Sequence, residues 1–367
     1  MDLAMIEFLC KFGRIFAFTP YSCNNRHPSF FQRCHICLVF AIYTVTFFGV
    51  QYVAAPQYSQ LTRIQLVLSA VTYTNFYFTN VHILVVVMGL NQNRWVRLID
   101  LLKSIEIRLD TKQFTILKLS LVIFLSLCAF ELFVTFYYFG LVTFLLFLPT
   151  NIYTYSQFTY SICTCVVLQM VLTRYQHYTK AVLNRTDELF TVLQRVKLGV
   201  FTLKKCVNAF NDIFGWTTLG SVFCGTFKCF VYIDVASKHS EVVEMWWGTE
   251  GDQLHFLCEI GFIAVMWVGV LAPYLDNSVI ALFQTGIVLT IFLSDKILNE
   301  FDNLLDLAWQ RKGLNPHLDK EFKLFVSFVE CNRPRFTAAR FFAIDRSTLF
   351  KIINSSIGFF LVMIQSY

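Results

Sequence analysis

The sequence predicts an all-α polytopic membrane protein that crosses the bilayer seven times, with its N-terminus cytoplasmic and its C-terminus extracellular. Three observations carry that expectation: an inventory too apolar for a soluble surface, seven apolar stretches of spanning length, and a one-sided distribution of Lys and Arg. Of 367 residues, 56% are hydrophobic and 15% charged, with a mean hydropathy of +0.57. Ordinary soluble domains carry roughly 25% charged residues. The 41 Phe and 16 Tyr suit a lipid solvent, in which rings pack against acyl chains and Tyr sits at headgroup level.

A span needs about 20 mostly apolar residues, and only a helix satisfies its own backbone in hydrocarbon without closing into a barrel. The stretches are 36–54, 64–90, 119–146, 152–172, 207–235, 268–293 and 349–367, which make residues 1–367 one transmembrane domain. The sixth belongs to a longer apolar run, 254–293, interrupted by Pro273, Asp276 and Asn277. Two spans there would carry the basic segment from Lys296 to Lys351 outside, so one broken span is preferred. The seventh is interrupted only by Lys351 and Asn354. No internal repeat and no cleavable signal peptide is evident.

Cationic residues near span ends are retained in the cytoplasm. Residues 1–35 hold four Lys and Arg, 91–118 six, 173–205 seven and 294–351 ten, whereas the opposite loops hold only Arg63 and Lys238. The balance is 27 to 2, with Lys228 inside a span. Acidic loop 236–253, with Trp246 and Trp247, fits the outer side. Sequons at Asn184 and Asn354 then fall in cytoplasmic or membrane positions and are expected to be unmodified. Because the net charge of +6 sits between apolar runs and not on one basic face, it is no nucleic-acid signature.

Ahead of the last span, residues 294–311 read as an amphipathic helix with Ile297, Phe301, Leu304, Leu305 and Ala308 on one face. Gly313 and Pro316 close it, and Leu318–Val329 begins a second. The region of about 294–346 is thus expected to be cytoplasmic anchor helices. None of the 12 Cys lies in an obvious extracellular loop. Cys34, His35 and Cys37 resemble half of a zinc site without a second half, so the cysteines read as buried small hydrophobes and no metal is expected.

Polar residues inside the spans are expensive and therefore informative. Thr72, Asn75, Thr79 and His82 follow i, i+3, i+7, i+10 in the second span, and Cys128, Glu131, Thr135 and Tyr138 repeat that spacing in the third. The fourth carries Tyr153, Gln157, Tyr160, Ser161 and Thr164, and the fifth Thr217, Ser221, Cys224 and Lys228. Alternating span direction puts Thr72, Asn75, Glu131, Thr135, Tyr138, Tyr153, Gln157, Tyr160, Ser221 and Lys228 in the outer half. There they would line an externally open cavity for a small polar or amphipathic molecule. The competing reading is interhelical hydrogen bonding, and hydroxyls alone do not separate the two. Glu131 and Lys228, as charges in a membrane, favour function, either paired or snorkelling. No H-E-x-x-H, P-loop or G-x-S-x-G is present, so neither an enzyme nor a cofactor is expected.

The stretch R-F-T-A-A-R-F-F-A-I-D-R-S-T-L-F-K-I-I-N-S-S-I-G-F-F-L-V-M-I-Q-S-Y, Arg335 to Tyr367, resembles the C-terminal signature of insect gustatory receptors. In that family a Phe-rich segment with an Asp or Asn leads into a last span ending in Thr-Tyr, five apolar residues and Gln-Phe. Here Gly358 and Phe359 stand for Thr-Tyr, Phe360 to Ile364 are the apolar five, Gln365 matches the Gln, and Ser366 replaces the Phe. The N-terminal F-L-C-K-F-G-R-I-F-A-F-T-P and the fifth-span N-A-F-N-D-I-F-G-W also look like family blocks. The resemblance implies a tastant- or pheromone-gated cation channel in the plasma membrane of sensory neurons, a tetramer of like or mixed subunits. Its last helices would line the pore, with Phe360, Met363, Ile364 and Gln365 as pore and gate residues.

Two other membrane-protein classes, a seven-helix receptor of opposite topology and a secondary transporter, fit less well. A G-protein-coupled receptor would need the opposite orientation, against the 27 to 2 charge balance. A secondary transporter would need broken helices in both halves, and only the run around Pro273 is broken.

Overall fold

The computed structural model describes most of residues 29–58, 63–90, 92–105, 160–183, 189–238, 285–312 and 319–348, with isolated positions in 7–19, 126–141 and 350–358. All but isolated positions of the expected third and seventh spans lie outside the described residues, as does most of the run 254–293. Helix α1 is Phe30–Tyr58 and α2 is Arg63–Val81, which continues as a π-helical segment, His82–Leu90. Then come α3, Gln92–Lys103, and α4, residues 160–183. Helix α5 is Leu189–Lys238, α6 is Thr285–Lys312 and α7 is Asp319–Cys331. Two short strands follow, β1 Thr337–Ala338 antiparallel to β2 Phe342–Ala343.

Among the described residues, Phe30–Gly49 is the one stretch that qualifies as a span by length and apolarity alone. Its exposed residues Leu38, Ile42, Val45, Phe48 and Tyr52 recur at helical spacing, an apolar outer face suited to lipid. The buried side is tied by polar groups: Gln32 donates to Gln92 of α3 at 3.1 Å.

At 50 residues, α5 is about 75 Å long, far more than the roughly 30 Å of a hydrocarbon core. Its first half carries Lys197, Lys204 and Lys205 and runs through a protein core. Val192, Val196, Val200, Leu203, Val207, Phe210 and Phe214 recur every three or four residues and are all buried. They meet Val171, Tyr175 and Val182 of α4, Ile297, Phe301, Leu304 and Ala308 of α6, and Phe322, Phe325 and Val329 of α7. Each fully buried Phe there contributes about 1.5–3 kcal/mol. The expected apolar face of the first anchor helix is this buried seam, with Leu305 packed at its edge.

Polar groups pin the same layer. The buried Arg174 guanidinium donates to the Met170 carbonyl at 2.9 Å and to the Leu102 carbonyl at 2.7 Å, placing a cation on the C-terminal end of α3. Arg311 of α6 donates to the Leu183 carbonyl at the end of α4. Burial pushes the Cys206 thiol up to about 12, which keeps it inert.

Four local features differ from the sequence expectation. Residues 92–103, read as loop, form a helix because Trp95, Leu98, Ile99 and Leu102 supply a buried face. The sixth span and first anchor helix are one helix across Leu293 and Ser294, since no Pro or Gly separates Ile287 from Lys312. Part of the segment expected as anchor helices is instead a β-hairpin. Cys34, Cys37 and Cys331 are exposed, not buried, while Cys10, Cys163, Cys165 and Cys206 are buried as expected.

Candidate functional site

Of the outer-cavity residues, Glu131, Thr135, Tyr138, Tyr153 and Gln157 lie outside the described residues, and Thr72 and Lys228 are described in their backbone only. So do Phe360, Met363, Ile364 and Gln365 of the last span. The structure brings Asn75 to the fifth span, where its side-chain amide donates to the Gly220 carbonyl at 2.6 Å, beside the half-buried Ser221. Buried Thr79 rests on Gly220, and His82 stands 6.1 Å from Trp216. The polar stripe of α2 is therefore an antiparallel seam against α5. Thr164 and Thr217 donate to the Tyr160 and Phe214 carbonyls of their own helices at 2.9 and 2.8 Å, so those hydroxyls are satisfied locally.

Tyr160 is enclosed by protein. It is 4% exposed, packs edge-on against Phe18 at 5.8 Å, and donates its hydroxyl to the Ile213 carbonyl at 3.2 Å. Phe214, tilted against Tyr160, is itself packed on Trp95 of α3 at 5.2 Å. Tyr160 is therefore packed in protein at the end of the bundle that holds Phe18 and Trp95. The apolar residues after it, such as Val167, Leu168 and Val171, are buried in protein and do not mark lipid depth.

The best-defined site is the junction ahead of the last span, where two of the sequence blocks singled out above meet. Asn211 of α5 donates its amide to the Arg335 carbonyl at 2.7 Å, and its Oδ1 accepts the Thr337 amide at 3.1 Å. One side chain thus satisfies two backbone groups of the strand that enters the hairpin. Gly215, one turn on, lets that strand lie directly on the helix: a Cβ there would stand 2.8 Å from the Ala339 nitrogen and 3.2 Å from the Thr337 oxygen. Rings flank the contact, with Phe210 against Phe336 at 5.8 Å and Trp216 against Phe341 at 5.8 Å.

The hairpin turns through two successive left-handed residues, Ala339 at φ 50° and Arg340 at φ 65°. Neither is Gly, Asn or Asp, so the turn is strained by about 1 kcal/mol or more per residue and depends on docking to hold it. The Phe341 amide donates to the Ala338 carbonyl at 2.9 Å, and the Ile344 amide to the Phe336 carbonyl at 2.9 Å. Lys204 holds the approach, donating to the Cys331 carbonyl at 3.0 Å and to Asn332 at 3.3 Å where α7 ends. Arg333 pairs with Asp302 of α6 at 2.8 Å.

Beyond the hairpin, Asp345 caps the helix that leads into the last span. Its Oδ1 accepts the Thr348 amide at 2.9 Å and the Ser347 hydroxyl at 2.8 Å. Partial burial pushes the carboxyl up, but the Thr348 and Ser347 hydrogen bonds and the Lys351 charge outweigh it, holding it below the ordinary value. Arg346 next to it pairs with Asp295 of α6 at 2.7 Å. The start of the last span is thus fixed to α5 through the hairpin and to α6 through an ion pair, so a shift of either helix moves it. Among the described residues, no group of three or more His, Cys, Asp or Glu could hold a metal ion.

The chain matches the family model described as 7tm Chemosensory receptor over residues 6–367. Its fold is similar to that of the insect olfactory receptor OR5 from Machilis hrabei, with a TM-score of 0.65 and 13% identity over 100% of this chain and 99% of that chain. The same receptor solved in complex with eugenol superposes with a TM-score of 0.60 at 13% identity over the same shares. No curated protein sequence matches significantly. An all-α polytopic membrane architecture, the end-to-end family match and the docking of the family-like blocks on each other lead to one conclusion: the chain belongs to the 7tm chemosensory receptor family.

Proposed function

We propose that the chain is a gustatory receptor of sensory-neuron plasma membranes, a ligand-gated cation channel that detects a tastant or contact pheromone. The observation that carries this reading is the C-terminal block, in which Gln365 follows five apolar residues at the end of a span whose start is tied to both α5 and α6. Four copies of one Gln beside a hydrophobic constriction make a ring of neutral polar groups suited to permeating cations. Phe360, Met363 and Ile364 supply the constriction. The ligand site is the outer cavity of Thr72, Asn75, Glu131, Thr135, Tyr138, Tyr153, Gln157, Ser221 and Lys228; Tyr160, also expected there, is buried in protein. The OR5 receptor is solved with a small molecule, eugenol, which agrees with a small organic ligand.

A ligand opens the gate only by preferring one arrangement of the helices around it. Helix α5 carries Ser221 of the proposed cavity as well as Asn211 and Gly215 against the hairpin, so a ligand that displaces it pulls on the last span. The test is to record currents from cells expressing this chain, alone and with candidate subunits, against sugars, bitter compounds and cuticular hydrocarbons. The expected result is a cation current evoked by one ligand class. Surface-expressed protein that conducts under none of these conditions, or an epitope-tagged N-terminus found outside, would sink the reading.

A further inference from the structure

Asp212 and Trp216 lie one turn apart on α5, on the face turned toward the hairpin, and each meets partners from two other elements. The Asp212 carboxylate stands 3.8 Å from the Arg340 guanidinium, and the Asp212 backbone carbonyl accepts a hydrogen bond from Arg94 of α3 at 3.4 Å. Trp216 packs edge-on against Phe341 at 5.8 Å and stands 6.1 Å from His82. One guanidinium therefore faces the Asp212 carboxylate and a second its backbone carbonyl, beside three rings contributed by three different elements.

The group is open. The Arg340 side chain is 89% exposed, Trp216 53% and Phe341 70%. An ion pair of that length between exposed groups is weak, so Asp212 leaves the arginines an unspent positive charge. The polar run Asn208, Asn211 and Asp212 ends here, and residues 213–235 make about 35 Å of helix, enough for the hydrocarbon core. The inner boundary of the bilayer thus falls between Asp212 and Trp216. The arginines lie on its watery side, and the rings on its apolar side. Phe223, two turns further into the span, is also exposed, so the rings continue into a lipid-facing surface.

We propose that this face binds an anionic phospholipid of the inner leaflet, its phosphate held between Arg94 and Arg340 and its glycerol and upper acyl chain lying on Trp216 and Phe341. Guanidinium groups match phosphate oxygens in forked geometry, and Trp favours the headgroup level. A soluble anion would use the arginines and leave the rings without a role. The bound lipid bridges α3 to the hairpin, and so bears on the junction ahead of the last span. Its assignment to the inner leaflet rests on the cytoplasmic N-terminus of the proposed receptor.

The test uses the full chain in phosphatidylcholine nanodiscs containing a small share of brominated phosphatidylserine or, in parallel, brominated phosphatidylcholine. Bromine quenches nearby indoles, and subtraction of the Trp216→Phe variant isolates Trp216. The expected result is quenching by the serine lipid at about five-fold lower mole fraction for each arginine engaged. Arg94→Gln with Arg340→Gln should equalise the two lipids while size-exclusion behaviour stays that of the parent. Asp212→Asn should strengthen the preference, because it removes the carboxylate that competes with phosphate. Equal quenching by both lipids in the parent, quenching by neither, a preference weakened by Asp212→Asn, or its loss to added inorganic phosphate would each overturn the proposal. Nanodiscs expose both leaflets to the same lipid, so the result is independent of orientation and of conduction. An external N-terminus or absent currents would instead remove the receptor topology or the channel reading and leave the lipid site standing.

Discussion

Asn211 holds Thr337 by its backbone: the Thr337 amide donates to Asn211 Oδ1 at 3.1 Å, as the Asn211 amide donates to the Arg335 carbonyl at 2.7 Å. A side-chain amide here takes the place of a neighbouring strand, satisfying one donor and one acceptor of a hairpin that has two strands among the described residues. The contact joins α5 to the segment between α7 and the last span.

Asn211→Ala should leave both backbone groups short of a partner and destabilise the junction by about 1–3 kcal/mol. The thermal unfolding midpoint of the detergent-solubilised protein should fall accordingly, and Asn211→Asp, which keeps the acceptor alone, should fall between. A midpoint unchanged in the Ala variant would show the contact to be idle.

Gly215→Ala should be worse than its size suggests. The new methyl meets backbone atoms of Thr337 and Ala339, which cannot swing aside as a flexible side chain can. Gly49→Ala in α1, whose added methyl meets nothing within 4 Å, is the control. It should be neutral or stabilising by up to about 1 kcal/mol. Comparable surface expression of the two variants would contradict the close docking of hairpin on helix.

Asp345 gives a pH dependence whose sign follows from its depressed carboxyl. The charged form is favoured in the fold, so its contribution is complete above the ordinary value of 3.8 and is lost as pH falls through the depressed one. Relative to Asp345→Asn, which still accepts as a cap, the parent should be more stable by about 0.5 kcal/mol at pH 7 and pH 5. That advantage should shrink below the ordinary value. Asp345→Ala should cost about 1 kcal/mol. Unfolding midpoints across this range decide the matter; an advantage that grows on acidification would reverse the assignment.

Arg346 and Asp295 are half-exposed and nearly buried respectively, and their pair contributes about 0.2–1 kcal/mol to holding the last span against α6. Arg346→Glu or Asp295→Arg alone should shift the ligand concentration for half-maximal current by up to about five-fold. The charge-swapped double variant should recover the parent value. Failure of the swap to recover would mean that each residue acts through another contact.

If the proposed pore is right, Gln365→Leu should change unitary conductance or gating without lowering surface expression, since it swaps a polar side chain for an apolar one of similar size. Whole-cell currents with surface biotinylation make the comparison. Ligand-evoked currents identical to the parent would take Gln365 out of the pore.

Much of the architecture is legible in one dimension. Hydropathy marks α1 and α2 because a lipid solvent selects apolar side chains outright, and the seam of Ile297, Phe301, Leu304 and Ala308 follows from helical spacing. Its apolar positions bury the same way in any water-exposed bundle. The hairpin was not legible. Ala-Ala-Arg-Phe contains none of the Gly, Asn or Asp that mark a left-handed turn, and its conformation is supported from outside by α5. Asn211 and Gly215 stood inside a recognisable block, but neither type announces a backbone clamp or a close approach until its partner strand is in place.

The sequence by itself determined that this is a helical membrane protein of the chemosensory class, because solvent preference, charge asymmetry and the terminal block are properties of residue order alone. Only the tertiary structure decided packing and linkage. Apolar residues such as Val167 and Phe214 face protein and not lipid, and Tyr160 is packed among them. Apolar solvent and apolar protein core select the same side chains, and only packing tells them apart.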